Sequence, residues 1–367
     1  MYLLRSGKIG ASKVKEFKIG SYTLRARHRQ HESLKLRQRP YSRDERKGFM
    51  QKILRFGPFF VVIAALLWSF DGLLRINLYS LPPAVIVFYE HLLGATLLLP
   101  LLPIWLSDLR KMTRKEWLAI GIVSLFSGAL GTIFYTAALG KVQFTQYSVV
   151  VLLQQQLQPI WAITAASLIL KEKITKRFLL WAIIALIAAY FISFKDLKVN
   201  LATGPETATA ALLAISAGIM WGSSTAISKL VLKKVSFLTG TALRFYLAPL
   251  FAVFIILITD KTAMLFNINI DQWKTLLIIT LSTGLVALGF YYYGLKKTSA
   301  RVTTLLELVW PASAIFIDYF FFKKSLSATQ ILGVLILLVA IYQVTKQREP
   351  RLHNSHLRKA SAGKHNS

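Results

Sequence analysis

Six ionisable side chains and a cluster of amides sit inside stretches otherwise apolar enough to cross a bilayer. Asp71, Glu90, His91, Arg244, Glu307 and Asp318 lie within such runs. Gln154, Gln155, Gln156 and Gln158 crowd the head of LLQQQLQPIWAITAASLILKE, residues 152–172. Hydrocarbon does not tolerate unpaired amides or charges, so these groups must face other helices or a water-filled cavity. Groups of this kind mark solute paths, proton sites and buried ion pairs. Spacing sorts them. Gln154 and Gln158 share one side of a helix by i,i+4 spacing, with Gln155 about 100° round it. Glu307 and Asp318 share a face, about three turns apart. Glu307 is near mid-depth beside Pro311 and is expected at a cavity, whereas Asp318 lies toward a helix end, where it caps or snorkels. Glu90 and Glu307 are the carboxylates able to take and release a proton in a coupled transport cycle, and His91 reads as a hydrogen-bonded packing residue. Trp68, Trp221 and the Tyr291-Tyr292-Tyr293 run could form an aromatic wall for an organic solute.

The elements that hold these groups occur twice. In residues 152–172 the interior Pro159 removes a backbone hydrogen bond and is expected to kink or break the helix, and Lys171-Glu172-Lys173 stops the span at a membrane surface. LLELVWPASAIFIDYFFFKK, residues 305–324, repeats the grammar. Gln155 stands four before Pro159 and Glu307 four before Pro311, and a lysine follows each proline by twelve (171−159, 323−311). Trp68 to Pro159 spans 91 residues (159−68) and Trp221 to Pro311 spans 90 (311−221). By the same register His91, or its neighbour Glu90, corresponds to Arg244 (91−68 = 244−221), so a carboxylate and a guanidinium could pair across a pseudo-twofold axis. That pair either fixes helix docking or lines the path. Gly128 and Gly131 set against Gly284 and Gly289 read as close-packing positions.

Roughly ten spans of about 20 residues follow from the apolar runs. Their limits are near 57–75, 83–106, 116–139, 146–170, 175–194, 207–229, 236–259, 273–294, 299–322 and 326–345. The chain therefore reads as an all-α polytopic membrane protein with a first five-helix repeat at 57–194 and a second at 207–346. Five is odd, so the second copy enters from the opposite face. Inverted repeats with broken helices at their interface are the architecture of secondary transporters.

Composition agrees. Of 367 residues 54% are hydrophobic and 17% charged, and mean hydropathy is +0.51, which excludes a soluble domain. With 0 cysteines, disulfides and thiolate metal sites are excluded. The net charge of +29 sits in tails and loops. With the N-terminus inside, Arg110, Lys111, Arg114, Lys115, Lys171, Lys173, Lys176 and Arg177 fall in inner loops. So do Lys229, Lys233, Lys234, Lys296, Lys297 and Arg301. Outer loops keep Arg75, Lys141, Lys195, Lys198, Lys261, Lys274, Lys323 and Lys324. Both termini are thus expected in the cytoplasm, with the anionic inner leaflet rather than nucleic acid as partner of the basic charge. Residues 1–56 and 347–367 read as basic tails, the first disordered. Glu45-Arg46-Lys47-Gly48-Phe49 also requires a purine-rich coding run just before Met50. In a bacterial source that resembles a ribosome-binding site, and it predicts a start at Met50, which the intact mass of the native protein tests.

WSFDG (residues 68–72), WGSSTA (residues 221–226), the LLQQQLQPIWAITAASLILKEKIT stretch with its weaker copy, and the five-plus-five layout resemble the EamA-type drug/metabolite transporter superfamily over residues 57–346. The resemblance implies ten helices, cytoplasmic termini, a central cavity and export or exchange of amino acids, metabolites or drugs. Members commonly carry Arg-Phe early in the second helix of each repeat. Arg244-Phe245 fits, whereas the first half reads Glu90-His91. The expected function is a secondary transporter exporting small organic metabolites through an inner membrane by rocking two inverted halves. The pathway set is Trp68, Asp71, Glu90, His91, Gln154, Gln155, Gln158, Trp221, Arg244 and Glu307, with helix breaks at Pro159 and Pro311. No cofactor, metal or catalytic residue is expected. The alternatives are a non-transporting scaffold or sensor, or an intramembrane enzyme. Against the enzyme stands the lack of a His-x-x-x-His, paired-carboxylate or nucleotide-loop motif.

Overall fold

The computed structural model describes residues 15–19, 22–26, 56–142, 147–197 and 206–347. It divides into Met1–Arg55 and Phe56–Ser367. In the first unit, β1 (Lys15–Ile19) pairs antiparallel with β2 (Tyr22–Ala26), Phe17 opposite Leu24 and Ile19 opposite Tyr22. The remainder of that tail, and the proposed start at Met50, lie outside the described residues.

The second unit is helical, with no strand among its described residues. Its helices are α1 (Gly57–Leu78), α2 (Pro83–Leu109), α3 (Arg114–Lys141), α4 (Tyr147–Ile169) and α5 (Lys176–Ser193). Then come α6 (Thr207–Leu232), α7 (Phe237–Ile258), α8 (Ile270–Lys297), α9 (Ala300–Phe321) and α10 (Ala328–Lys346). Eight of them, all but α4 and α5, are long and apolar enough to span a membrane by length and composition. The other two, of 23 and 18 residues, occupy the fourth and fifth places. The chain is a multi-pass membrane protein of two five-helix repeats. Large apolar side chains such as Leu168, Leu212, Leu250 and Phe254 are exposed, as lipid-facing positions require.

Helix starts are written by local chemistry, and in matching places. Thr113 with Glu116 and Asn269 with Gln272 form capping boxes that open α3 and α8, 156 residues apart (269−113). Thr175 and Ser327 cap α5 and α10, 152 apart (327−175). Lys171 and Lys323 take left-handed backbone, φ 56° and 55°, just beyond α4 and α9. The recurring lysine twelve after each proline therefore marks a helix stop.

Packing interleaves the repeats. The extensive contacts include α1 with α8, α6 with α3, α2 with α7 and α5 with α10, each joining one repeat to the other. Backbone meets backbone where α4 packs on α6. A Cβ at Gly218 would lie 2.3 Å from Gln154 O, and one at Gly222 would lie 2.5 Å from Gln158 O. Gly218 and Gly222 form a small-xxx-small pair that lets the α6 backbone touch the backbone of the glutamine helix. Gly128 and Gly131 pack tightly against Ala248 and Trp221, but Gly289 has open space beside it and is not a packing glycine. Its assignment as a mate fails because α3 and α8 align 156 residues apart, which places Ala287 opposite Gly131.

Both third helices are interrupted by a π segment, Ser124–Leu130 in α3 and Thr280–Val286 in α8. These too are 156 apart (280−124). A π turn carries an extra residue and leaves carbonyls poorly satisfied along the helix, and such turns recur at functional sites. The proline helices differ. The α9 helix breaks at Glu307–Leu308, between Ala300–Leu306 and Val309–Phe321. The α4 helix runs through Pro159 without interruption, so no helix break occurs there.

Candidate functional site

A cavity lined by aromatic, charged and hydroxyl side chains of both repeats opens between them. Eight of the ten pathway residues expected from sequence line it: Trp68, Asp71, Glu90, His91, Gln158, Trp221, Arg244 and Glu307. Gln154 and Gln155 do not. Gln154 is buried behind Gln158, to which it donates, and both amide atoms of Gln155 lack a hydrogen-bond partner among the described residues. Gln155 and Glu307 hold matching places before their prolines, yet only the second faces the cavity. Glu307 stands at the turn that interrupts α9 and lines the cavity, while Gln155, within the continuous α4 helix, does not.

Aromatic rings form the walls. Trp310 lies 5.9 Å from Trp68, 5.8 Å from Trp221 and 5.7 Å from Tyr135 between ring centroids. Tyr291 adds a further face 5.1 Å from Trp68. Of the tyrosine run only Tyr291 lines the cavity; Tyr292 meets Ser228, and Tyr293 packs on Phe60 under Lys297. Trp310 was not anticipated, although it precedes Pro311 as Gln158 precedes Pro159.

Three charges close one part of the cavity. Arg75 Nε donates to Asp71 Oδ2 at 2.5 Å, its Nη2 to Glu90 Oε2 at 2.8 Å, and its Nη1 to Thr136 at 3.4 Å. Arg75 is only 2% exposed. The expected cross-repeat pair of Glu90 with Arg244 is therefore absent, since Glu90 takes Arg75 from its own repeat. The assignment of Arg75 to an outer loop fails for the same reason: α1 continues past residue 75 to Leu78 and draws the guanidinium inside. Arg244 Nη2 donates to Ser127 O at 2.8 Å, while its Nε has no hydrogen-bond partner among the described residues. His91 bonds Val87 O at 2.9 Å and stacks on Phe245 at the edge of the cavity. Asp318 pairs with Lys324 at 3.2 Å and stays outside the cavity.

Glu307 has a different environment. Its Oε1 accepts from Tyr291 Oη at 2.8 Å and its Oε2 from Gln158 Nε2 at 2.5 Å, and no cation pairs with it among the described residues. Carboxylate, phenol and amide thus meet at a helix break against three tryptophans. The arrangement can present a hydrogen-bonding edge beside stacking surfaces. Tyr291→Phe removes one of the two donors. A cost of about 1–3 kcal/mol is expected for the buried oxygen left behind, read as a lowered unfolding midpoint with Thr225→Val as the comparison.

At the ends of the cavity the symmetry becomes explicit. Trp68 Nε1 donates to Thr283 O, and Trp221 Nε1 donates to Ser127 O, both at 3.0 Å. Each acceptor is the fourth residue of a π segment. These contacts lay beyond sequence reasoning, which does not register π turns.

Sequence comparison places the chain among transport proteins. The EamA-like transporter family matches residues 55–194 and again residues 208–346. "Riboflavin transporter ImpX" of Fusobacterium nucleatum is 33% identical over 292 residues, 79% of this chain and 97% of that protein. "Uncharacterized transporter sll1164" of Synechocystis is 25% identical over 252 residues, covering 65% and 68% of the two chains. "Uncharacterized protein MJ1333.1" of Methanocaldococcus jannaschii is 26% identical over 135 residues, 36% of this chain but 93% of its own, a length close to one repeat. A crystal structure of another protein superposes with TM-score 0.60 at 16% identity, over 79% of this chain and 96% of that one, which is a likeness of fold.

Proposed function

Because the chain belongs to the EamA-like transporter family, we propose that it carries a planar heteroaromatic solute of the flavin class by alternating access of its two repeats. The observation that carries this reading is the lining of the cavity. Three indoles and two phenols offer stacking faces, Arg244 offers an unpartnered donor, and Glu307 with Gln158 offers an acceptor and amide edge. A tricyclic ring with carbonyls and one imide N–H presents the complementary set. The riboflavin transporter of Fusobacterium nucleatum, matched over 97% of its length, supports the same class. We place the protein in a cytoplasmic membrane with both termini inside, from the lysine and arginine bias of the loops.

Proton coupling, if the flux is driven, falls to Glu307. Asp71 and Glu90 both bond the Arg75 guanidinium, whereas Glu307 is held by neutral donors alone. An ionised carboxylate at mid-membrane is costly unless a proton or a ligand donor compensates it. Alternation of proton and solute on Glu307 would draw protons inward and send solute out, giving export.

The test is purified protein in liposomes loaded with labelled riboflavin. Saturable exchange with external riboflavin is expected, and Trp310→Ala should slow it about tenfold, the loss of ~1.4 kcal/mol of stacking. Retention equal to protein-free vesicles would rule out flavins. An imposed pH gradient should drive riboflavin accumulation in the wild type and none in Glu307→Gln. Accumulation that survives this substitution removes the coupling role.

A further inference from the structure

The hydrogen bonds from Trp68 and Trp221 cross between repeats in a matched pair. Trp68 belongs to α1 and its acceptor, Thr283 O, to α8; Trp221 belongs to α6 and its acceptor, Ser127 O, to α3. The acceptors stand 156 residues apart (283−127), the same offset as the two π segments that contain them. An indole has a single N–H, so each ring commits its only donor to the backbone of the opposite repeat. Two independent long-range bonds that obey the duplication are a property of the architecture rather than of one packing accident.

Both rings also face the cavity, and Trp310 stands within 6 Å of each. A flat solute entering between these rings has to displace at least one indole. The indole then pulls on a carbonyl at the centre of a π segment. There a shift of register is open to the backbone in principle. If the extra residue of a π turn migrates along its helix, every residue it passes rotates by about 100° and advances ~1.5 Å, with one hydrogen-bond register exchanged for another. The side chains so rotated are consequential. Thr283 Oγ1 holds Asp71 Oδ1 at 2.6 Å, and Ser127 O holds Arg244 as well as Trp221. A register change in either segment would therefore loosen a charged group of the cavity.

We propose that Trp68 and Trp221 are positioning residues that convert solute occupancy into a change of π register, each in the repeat to which it does not belong. This rests on the flavin reading given above. The crossed arrangement makes the repeats move as partners: an event at the indole of one is registered in the third helix of the other. The second segment depends more on its indole, since Ser127 O is also bonded by Arg244 at 2.8 Å and Thr132 at 3.1 Å.

Amide hydrogen exchange of the full chain in lipid nanodiscs tests this, with and without saturating riboflavin, whose binding is measured on the same samples. In the wild type, riboflavin should change exchange about tenfold in peptides covering both 124–130 and 280–286. Trp68→Phe should abolish the riboflavin-dependent change at 280–286 and spare at least half of that at 124–130. Trp221→Phe should do the reverse. A Trp68 isostere with sulfur in place of the indole N–H should behave as Trp68→Phe does, which separates the lost donor from the lost ring area. The proposal is overturned if riboflavin binds the wild type without altering either segment. It is equally overturned if each substitution affects its own repeat, or both segments alike. Absence of riboflavin binding by the wild type would instead overturn the flavin reading on which it stands.

Discussion

Arg75→Met is expected to destabilise the folded protein by about 3–5 kcal/mol, the cost of leaving buried carboxylates without their cation. Asp71 and Glu90 are 6% and 5% exposed and share this one guanidinium. They belong to α1 and α2, and the network continues through Thr136 of α3 and Thr283 of α8, so its loss loosens the contact between repeats as well as the site. Methionine keeps most of the volume, so packing loss does not mimic the electrostatic term. Reversible unfolding in detergent micelles measures the effect. The triple variant Arg75→Met, Asp71→Asn, Glu90→Gln should recover a large part of the loss, because removing a whole buried ion network is far less costly than removing one member. A single variant as stable as the wild type would mean that the carboxylates are neutral or hydrated in the native protein.

The second large effect is expected at a residue with no side chain. Gly222→Val places a branched carbon where 2.5 Å already separates a Cβ from Gln158 O, a backbone atom that cannot rotate away. Overpacking of this kind costs about 1–3 kcal/mol. Here it also has a chemical address. Gln158 donates to Glu307 Oε2, so pushing α4 outward withdraws the amide from the carboxylate. Riboflavin exchange should fall more steeply than stability does, and Gly121→Val, where a Cβ meets nothing within 4 Å, serves as the control. Equal losses of exchange and of folded protein would place the effect in folding alone.

Much of this was legible in the sequence, for a physical reason. A polar side chain inside an apolar run has few places to go, so Glu307, Gln158, Arg244 and Asp71 announced a cavity without any geometry. The duplication was equally visible, because Trp68, Trp221, Pro159 and Pro311 preserve their spacing. Arg75 was missed because a basic residue near a span end ordinarily snorkels to the headgroups; its i,i+4 relation to Asp71 was the available clue. Gln155 was misplaced because its place four before Pro159 matches that of Glu307 before Pro311 although α4 runs unbroken and α9 does not; whether a proline kinks, breaks or is merely tolerated depends on its neighbours. Gly218 and Gly222 were readable as a small-xxx-small pair and Trp310 as the residue before Pro311. The π segments had no sequence signal, since one extra residue in a helix turn carries no distinctive composition.

The two ends of the cavity are chemically unlike although the scaffold repeats. Counting from the tryptophans, Asp71 corresponds to Ser224 (71−68 = 224−221) and Arg75 to Ser228, so hydroxyls stand in the second repeat where an ion cluster stands in the first. In the inverted arrangement proposed for this transporter, these groups would lie toward opposite membrane faces. A solute loading from one face meets a fixed charge array, and from the other a row of alcohols. A carrier without an external energy source must still bring the solute to the same concentration on both sides. The mismatch therefore governs how readily each face saturates and how fast it discharges, leaving the final balance to whatever gradient is harnessed. Half-saturation measured from the two sides of oriented vesicles should accordingly differ, while their ratio to the respective maximal rates stays equal in the absence of a gradient.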